Sequence, residues 1–157
     1  MEQEINIKII NAVSEIDIVY KSKVKASLRP KILNSKDAHA IFLKYWDENK
    51  IELVEQFSVM FLNRANKVLG IYQMSTGGIT GTIADIRLLF AAALKISAVS
   101  FLVCHNHPSS NISASKSDRE LTAKIKRAGE LLDIKLLDHI IMNADVDYYS
   151  MADDGLI

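Results

Sequence analysis

The chain has 157 residues, 49% hydrophobic and 24% charged, a length and balance that suit one globular domain able to bury a core without disulfides or a structural metal. Nineteen Lys and Arg offset nineteen Asp and Glu, which argues against a non-specific nucleic-acid binder, whose surface normally carries a basic excess. The single cysteine, Cys104, permits no internal disulfide, and an acidic N-terminus with no run of about 20 apolar residues predicts neither a secretory signal nor a membrane span; a cytoplasmic location is expected.

Residues 1–16 alternate charged and aliphatic side chains and suit a short helix or an added strand. Ile16 to Ala26 has period-two alternation and β-branching, which predicts a strand. Six basic residues between Lys21 and Lys36 read as a solvated edge guarded by lysines, or as a docking patch for an acidic partner. Ala38, Ile41, Phe42 and Tyr45 have helical spacing, which predicts a helix over 36–48 with Ser35 as its N-cap and His39 as a surface or packing residue. Glu52 to Leu62 reads as a strand covered on both faces, with a turn at 63–67 and a hairpin partner from Val68 to Gln73. Ser75 to Gly78 and Gly81 form a connection. Ala84 to Lys95 is a predicted helix with Ile86, Leu89, Phe90, Ala93 and Leu94 on one face.

Ala98 to Val103 reads as a buried strand, Asp118 to Leu132 as an amphipathic helix, Ile134 to Met142 as a strand, and Val146 to Met151 as a short edge. The order β-α-β-β-α-β-α-β-β predicts an α/β fold: one domain with a mixed sheet flanked by helices. No linker divides the chain.

The chemistry concentrates in Cys104-His105-Asn106-His107-Pro108-Ser109-Ser110. On an extended backbone His105 and His107 project from one face, and Pro108 ends the strand. Asp118, in the first turn of the next helix, can fold back beside them. Two imidazoles and a carboxylate are the ligand set of a catalytic zinc whose fourth position is open to water. Spacing leaves other readings open. The histidines could support the core, and Ser115-x-x-Asp118 fits a capping box, whereas a cap on Ser117 with Glu120 would leave Asp118 to a metal. Asn106 and Cys104 face away from the imidazoles, which suits a supporting role and a core thiol. The chain lacks His-Glu-x-x-His and has too few cysteines for a deaminase site. Hydrolysis also needs a base that is not a ligand; Glu52 and Glu55 both precede the next strand, and spacing does not choose between them.

The pattern His105-x-His107-Pro108-x6-Ser115-x2-Asp118 resembles the JAMM motif of the JAB metallopeptidase superfamily, and the wording His-Asn-His-Pro-Ser resembles its RadC branch. The resemblance runs from about Leu33 to the C-terminus. It includes Glu55-Gln56-Phe57-Ser58-Val59, Leu62-Asn63, Arg87, Leu121-Thr122, Ala128-Gly129, Asp138-His139-Ile140-Ile141 and Tyr149-Ser150. It implies a JAB/MPN-like fold with a body of residues 33–157, and 1–32 as an N-terminal extension packed on it. It implies one Zn²⁺ per chain, held by His105, His107 and Asp118. It also implies Glu55 as general base, leaving Glu52 an ordinary helix-end carboxylate. Ser115 would lie near the substrate carbonyl, donating to the oxyanion or only capping the helix, and His139 would stay outside the ligand set.

The implied reaction is hydrolysis of an amide bond in a peptide or protein substrate by zinc-activated water. The alternatives are a DNA-repair or mobile-element accessory module that binds nucleic acid or protein around a structural zinc, and a zinc-retaining interaction domain. Basic runs at 21–36 and at Lys124-Ile125-Lys126-Arg127 keep the accessory module open. Two features depart from the RadC pattern: Ser110 stands where glycine is usual, and nothing before Leu33 resembles the helix-hairpin-helix module of longer members. The oligomeric state is not legible.

Overall fold

Seven consecutive residues, Gln56–Leu62, are all buried, and this double-sided burial decides the architecture. A strand whose odd and even side chains are both covered must lie inside a sheet with layers on each face. In the computed structural model, which describes residues 20, 22–77 and 84–157, this strand is β1. It pairs antiparallel with β2 (Val68–Thr76) and with β3 (Ser100–Asn106), another fully buried strand. β3 runs parallel to β4 (Lys135–Met142), and β5 (Tyr148–Ser150) closes the far edge, giving the order β2-β1-β3-β4-β5. The helices are α1 (Ser35–Tyr45), α2 (Ile86–Lys95) and α3 (Lys116–Leu131), the last making the crossover that a parallel pair requires.

Alternation sorts the side chains into two cores. Phe57, Val59, Phe61, Phe101 and Val103 pack with Leu89, Phe90 and Ala93 of α2 and Ile125 of α3. Met60, Leu62, Leu102, Cys104, Ile140 and Met142 pack with Ala38 and Phe42 of α1. The fold is thus an α/β domain with a mixed five-stranded sheet between helical layers, as expected. At the end of α3, Gly129 accepts from the Ile134 N–H at 2.9 Å, and a Cβ there would overlap the Ile134 carbonyl. Only glycine lets helix and strand approach so closely.

Several boundaries differ from expectation. Residues 16–19 and 21 of the expected strand 16–26 lie outside the described residues, and residues 20 and 22–26 contain no strand. The Ser22 hydroxyl bonds the backbone of Val24, a local satisfaction that replaces a ladder, and a 3-10 turn follows at Ala26–Leu28. Asn34 rather than Ser35 caps α1, because its side chain accepts from the Asp37 N–H at 2.9 Å while the Ser35 hydroxyl donates to Asp153. That helix stops at Tyr45, where Trp46 becomes extended. β1 begins at Gln56, since 50–54 is tied into a turn by N–H groups of Leu53 and Val54 donating to Lys50 O. β2 runs on through Ser75 and Thr76, paired to Phe57 and Gln56; the connection beyond, 78–83, lies outside the described residues. Leu94 is 53% exposed, off the buried face made by Leu89, Phe90 and Ala93. His39 is a packing residue, buried and stacked on Tyr148 with centroids 4.4 Å apart.

Candidate metal centre

The end of β3 carries His105 and His107 out of the sheet on the α3 side. His105 is buried among Phe57, whose ring lies parallel at 6.3 Å, and His139. His107 begins the loop, its N–H held by Met142 O at 3.0 Å. Its Nδ1 donates to Asn111 O at 2.5 Å, which leaves Nε2 as a lone-pair donor. The Nε2 atoms of His105 and His107 face each other at 2.9 Å. Asp118 Oδ1 completes the group, 3.4 Å from His105 Nε2.

Asp118 does two tasks at once. Its Oδ2 accepts from Ser115 N at 2.8 Å and from Ser115 Oγ at 2.6 Å, while the Asp118 N–H donates to Ser115 Oγ at 3.1 Å. The capping box on Ser115 therefore forms, and the cap on Ser117 does not. Capping engages Oδ2, which also lies 3.8 Å from His107 Nε2, and leaves Oδ1 to His105, so the two readings of Asp118 coexist.

These groups fit a metal ion. Ligand atoms about 2.0–2.2 Å from a tetrahedral zinc lie about 3.3 Å from one another, close to the separations here. Among the described residues His105, His107 and Asp118 form the one such cluster, with candidate atoms within 4.8 Å. Burial is the main cause of a His105 pKa lowered to about 4, with Asp118 pulling it up and His107 pushing it down; the ring is neutral, as a ligand must be. Burial would raise the Asp118 carboxyl, but the Ser115 hydroxyl, His105, the Ser115 N–H and His107 together hold it below its usual range. His107 and Asp118 side chains keep 14% and 16% of their surface exposed against 4% for His105, so the open side of the cluster faces solvent.

A family model described as the RadC-like JAB domain matches residues 32–156. The chain belongs to the RadC-like JAB domain family. A "UPF0758 protein" of Flavobacterium johnsoniae is 41% identical over 150 residues, 95% of this chain and 64% of that protein. Others from Porphyromonas gingivalis (37% over 103 residues, 66% of this chain and 45% of that protein) and Chlorobaculum parvum (38% over 111, 71% and 48%) are also similar. The chain thus spans between 45% and 64% of the length of these three relatives.

Within this RadC-like domain, β1 and β3 pair Phe57 with His105, and Glu55, half-buried, lies two residues before Phe57 at the entry to β1. Glu52 is exposed on the preceding turn. Asn106, fully buried, points the other way, as alternation requires. Its Oδ1 accepts from Gln56 N at 2.7 Å, and its Nδ2 donates to Ile51 O at 2.6 Å and Val54 O at 2.9 Å. The residue between the two histidines therefore braces the turn that presents Glu55. Nothing in the sequence could name those partners, some 50 residues away.

Ser115 is the N-cap of α3, and its hydroxyl donates to Asp118. Ser110 has φ +61°, in the left-handed region that glycine adopts without steric cost. Cys104 is buried in the α1-side core, with its thiol pKa pushed up by burial and then by Asp138. Asp138 accepts from Ser150 Oγ at 2.6 Å and Ala152 N at 3.0 Å, fastening the C-terminal turn to β4. Arg87 forms an exposed ion pair with Asp85, the N-cap of α2. His139 does not join the ligand cluster; its Nε2 lies 2.7 Å from His105 Nδ1 and its Nδ1 lies 2.6 Å from Thr122 Oγ1.

Proposed function

We propose that this RadC-like JAB domain is a zinc-dependent hydrolase of amide bonds in peptide or isopeptide substrates, with His105, His107 and Asp118 holding one zinc per chain. The observation that carries the reading is the convergence of two imidazole Nε2 atoms and the Asp118 carboxylate at a solvent-facing point. When bound, zinc supplies Lewis acidity, which acidifies water to a pKa of about 7 and polarises a carbonyl. The Asp118 carboxylate is oriented by Ser115 and the first turn of α3, where a negative charge is also favoured by the helix dipole.

Glu55 is the proposed base. It takes a proton as a water oxygen bonds to the amide carbon, and returns that proton to the amine nitrogen as the C–N bond breaks. Ser115 can donate to the developing oxyanion only by turning its hydroxyl from Asp118 Oδ2, so its resting contribution is to aim the carboxylate. A balanced net charge, with no basic excess, favours a peptide substrate over the DNA-binding alternative. The lone buried thiol suits the cytoplasm, the proposed location; among the described residues no helix is long and apolar enough to cross a membrane.

The test is metal analysis together with an unbiased peptide-cleavage screen of the zinc-loaded protein. Near-stoichiometric zinc and a reproducible set of cleaved amides are expected, both lost in His105→Ala/His107→Ala. Full zinc retention in that double variant would make the ligand assignment wrong, and zinc without cleavage of peptides or isopeptides would leave the domain a binding module.

A further inference from the structure

His139 and Thr122 are buried polar residues, 0% and 4% exposed, on two elements that the proposed ligand set leaves without an evident task for them. We propose that they are positioning residues for the metal centre, locking His105 into the tautomer with its proton on Nδ1 and its Nε2 lone pair aimed at the ion. The proposal rests on the zinc reading above and deepens it.

The proton count starts at a group that can only accept. The Asp118 carbonyl oxygen lies 2.5 Å from Thr122 Oγ1, one helical turn on, so the hydroxyl spends its single proton there. The Met151 thioether, 3.4 Å from the same oxygen, is a much weaker acceptor and does not compete. Thr122 Oγ1 can then only accept from His139 Nδ1, 2.6 Å away, which fixes that nitrogen as N–H. A neutral imidazole has one N–H, so His139 Nε2 is a lone pair and must receive its hydrogen bond from His105 Nδ1 at 2.7 Å. That last proton leaves His105 Nε2 bare, facing His107 Nε2 and Asp118 Oδ1.

The chain of bonds closes a loop. It leaves the backbone of one ligand residue, Asp118 on α3, crosses to β4, and ends on another, His105 on β3, whose Nε2 then faces the Asp118 side chain. Ring orientation and tautomer are set by the partner of the non-ligating nitrogen, and here that partner is tied to the helix that carries the third ligand. A merely structural role for His139 would require no particular proton on His105.

Zinc affinity measured by competition with a chromophoric chelator tests this without a substrate. Changing an outer partner of a ligand typically costs 10–100-fold in metal affinity, so His139→Ala should weaken zinc binding by about that factor. Thr122→Val, which keeps the volume and removes the hydroxyl, should weaken it at least several-fold, and Thr122→Ser should restore it. Histidine ¹⁵N spectra of the metal-free wild type, at neutral pH, provide the second readout, with the His105 proton expected on Nδ1. A Thr122→Val variant that binds zinc as tightly as wild type, or a His105 proton found on Nε2, overturns the relay. Wild type that fails to bind zinc at all overturns the zinc reading instead, while the spectra still decide the tautomer.

Discussion

Asp118 and Ser115 hold each other: the Ser115 N–H and hydroxyl reach one carboxylate oxygen at 2.8 and 2.6 Å, and the Asp118 N–H returns to the Ser115 hydroxyl at 3.1 Å. This reciprocal cap turns the second oxygen toward His105. Ser115→Ala should therefore do two things: lower stability by about 1 kcal/mol, the usual worth of an N-cap, and weaken zinc binding by freeing the carboxylate to rotate. Asp118→Asn should remain folded and lose most of the zinc. Thermal melts and chelator competition on both variants check this, and zinc affinity unchanged in Asp118→Asn would remove the aspartate from the ligand set.

Gly129 supplies a test of the scaffold. Glycine in a helix interior is worse than alanine by about 0.5–1 kcal/mol, so propensity alone predicts that Gly129→Ala stabilises the domain. A Cβ at this position would overlap the Ile134 carbonyl and touch the Phe101 ring, and forced overpacking costs about 1–3 kcal/mol. The clash should win, with a net loss of stability on denaturant unfolding. An equal or higher midpoint would mean that the α3–β4 junction can open without cost.

Much of this molecule is legible in the sequence because period and burial agree. The alternation in Gln56–Leu62 and the apolar run before His105 announce a doubly covered strand, and strand alternation sends Asn106 away from the imidazoles. What stayed hidden depends on contacts distant in the chain. The turn clasped by Asn106 and the hydrogen bond between Thr122 and His139 join residues that no local pattern relates. Boundaries failed where a side chain outcompeted propensity, as Asn34 did in capping α1 ahead of Ser35. At Asp118, cap and ligand looked like rivals only because a carboxylate was counted as one acceptor rather than two.

His39 gives the pH dependence a source outside the metal centre. Burial lowers its pKa below 6.5, with Asp147 pulling it back up, and its buried Nε2 has no hydrogen-bond partner. In the unfolded chain the ring protonates first as pH falls, so the unfolded state binds the extra proton. The stability from a neutral His39 is complete above about pH 6.5 and is lost as pH drops through the folded-state value. His39→Phe, which keeps a ring against Tyr148, should therefore flatten the decline in melting temperature between about pH 7.5 and 5. Melts of both proteins in excess chelator isolate this from metal loss, and parallel curves would show that His39 does not contribute.

Glu55 separates chemistry from metal binding. It lies two residues before Phe57, whose strand partner is His105, whereas Glu52 is exposed on the turn before. Glutamine keeps the size and reach of glutamate but cannot take a proton from water. General acid–base catalysis is worth about 10²–10⁴-fold. Glu55→Gln should keep its zinc and its melting temperature while losing at least about a hundredfold in turnover on any amide the cleavage screen identifies. Glu52→Gln, measured beside it, should stay active. Equal behaviour of the two variants would deny Glu55 the role of base, and release of zinc by Glu55→Gln would make it a ligand instead. A loss confined to KM would point to substrate binding, since removing a proton shuttle acts on the transition state and lowers kcat.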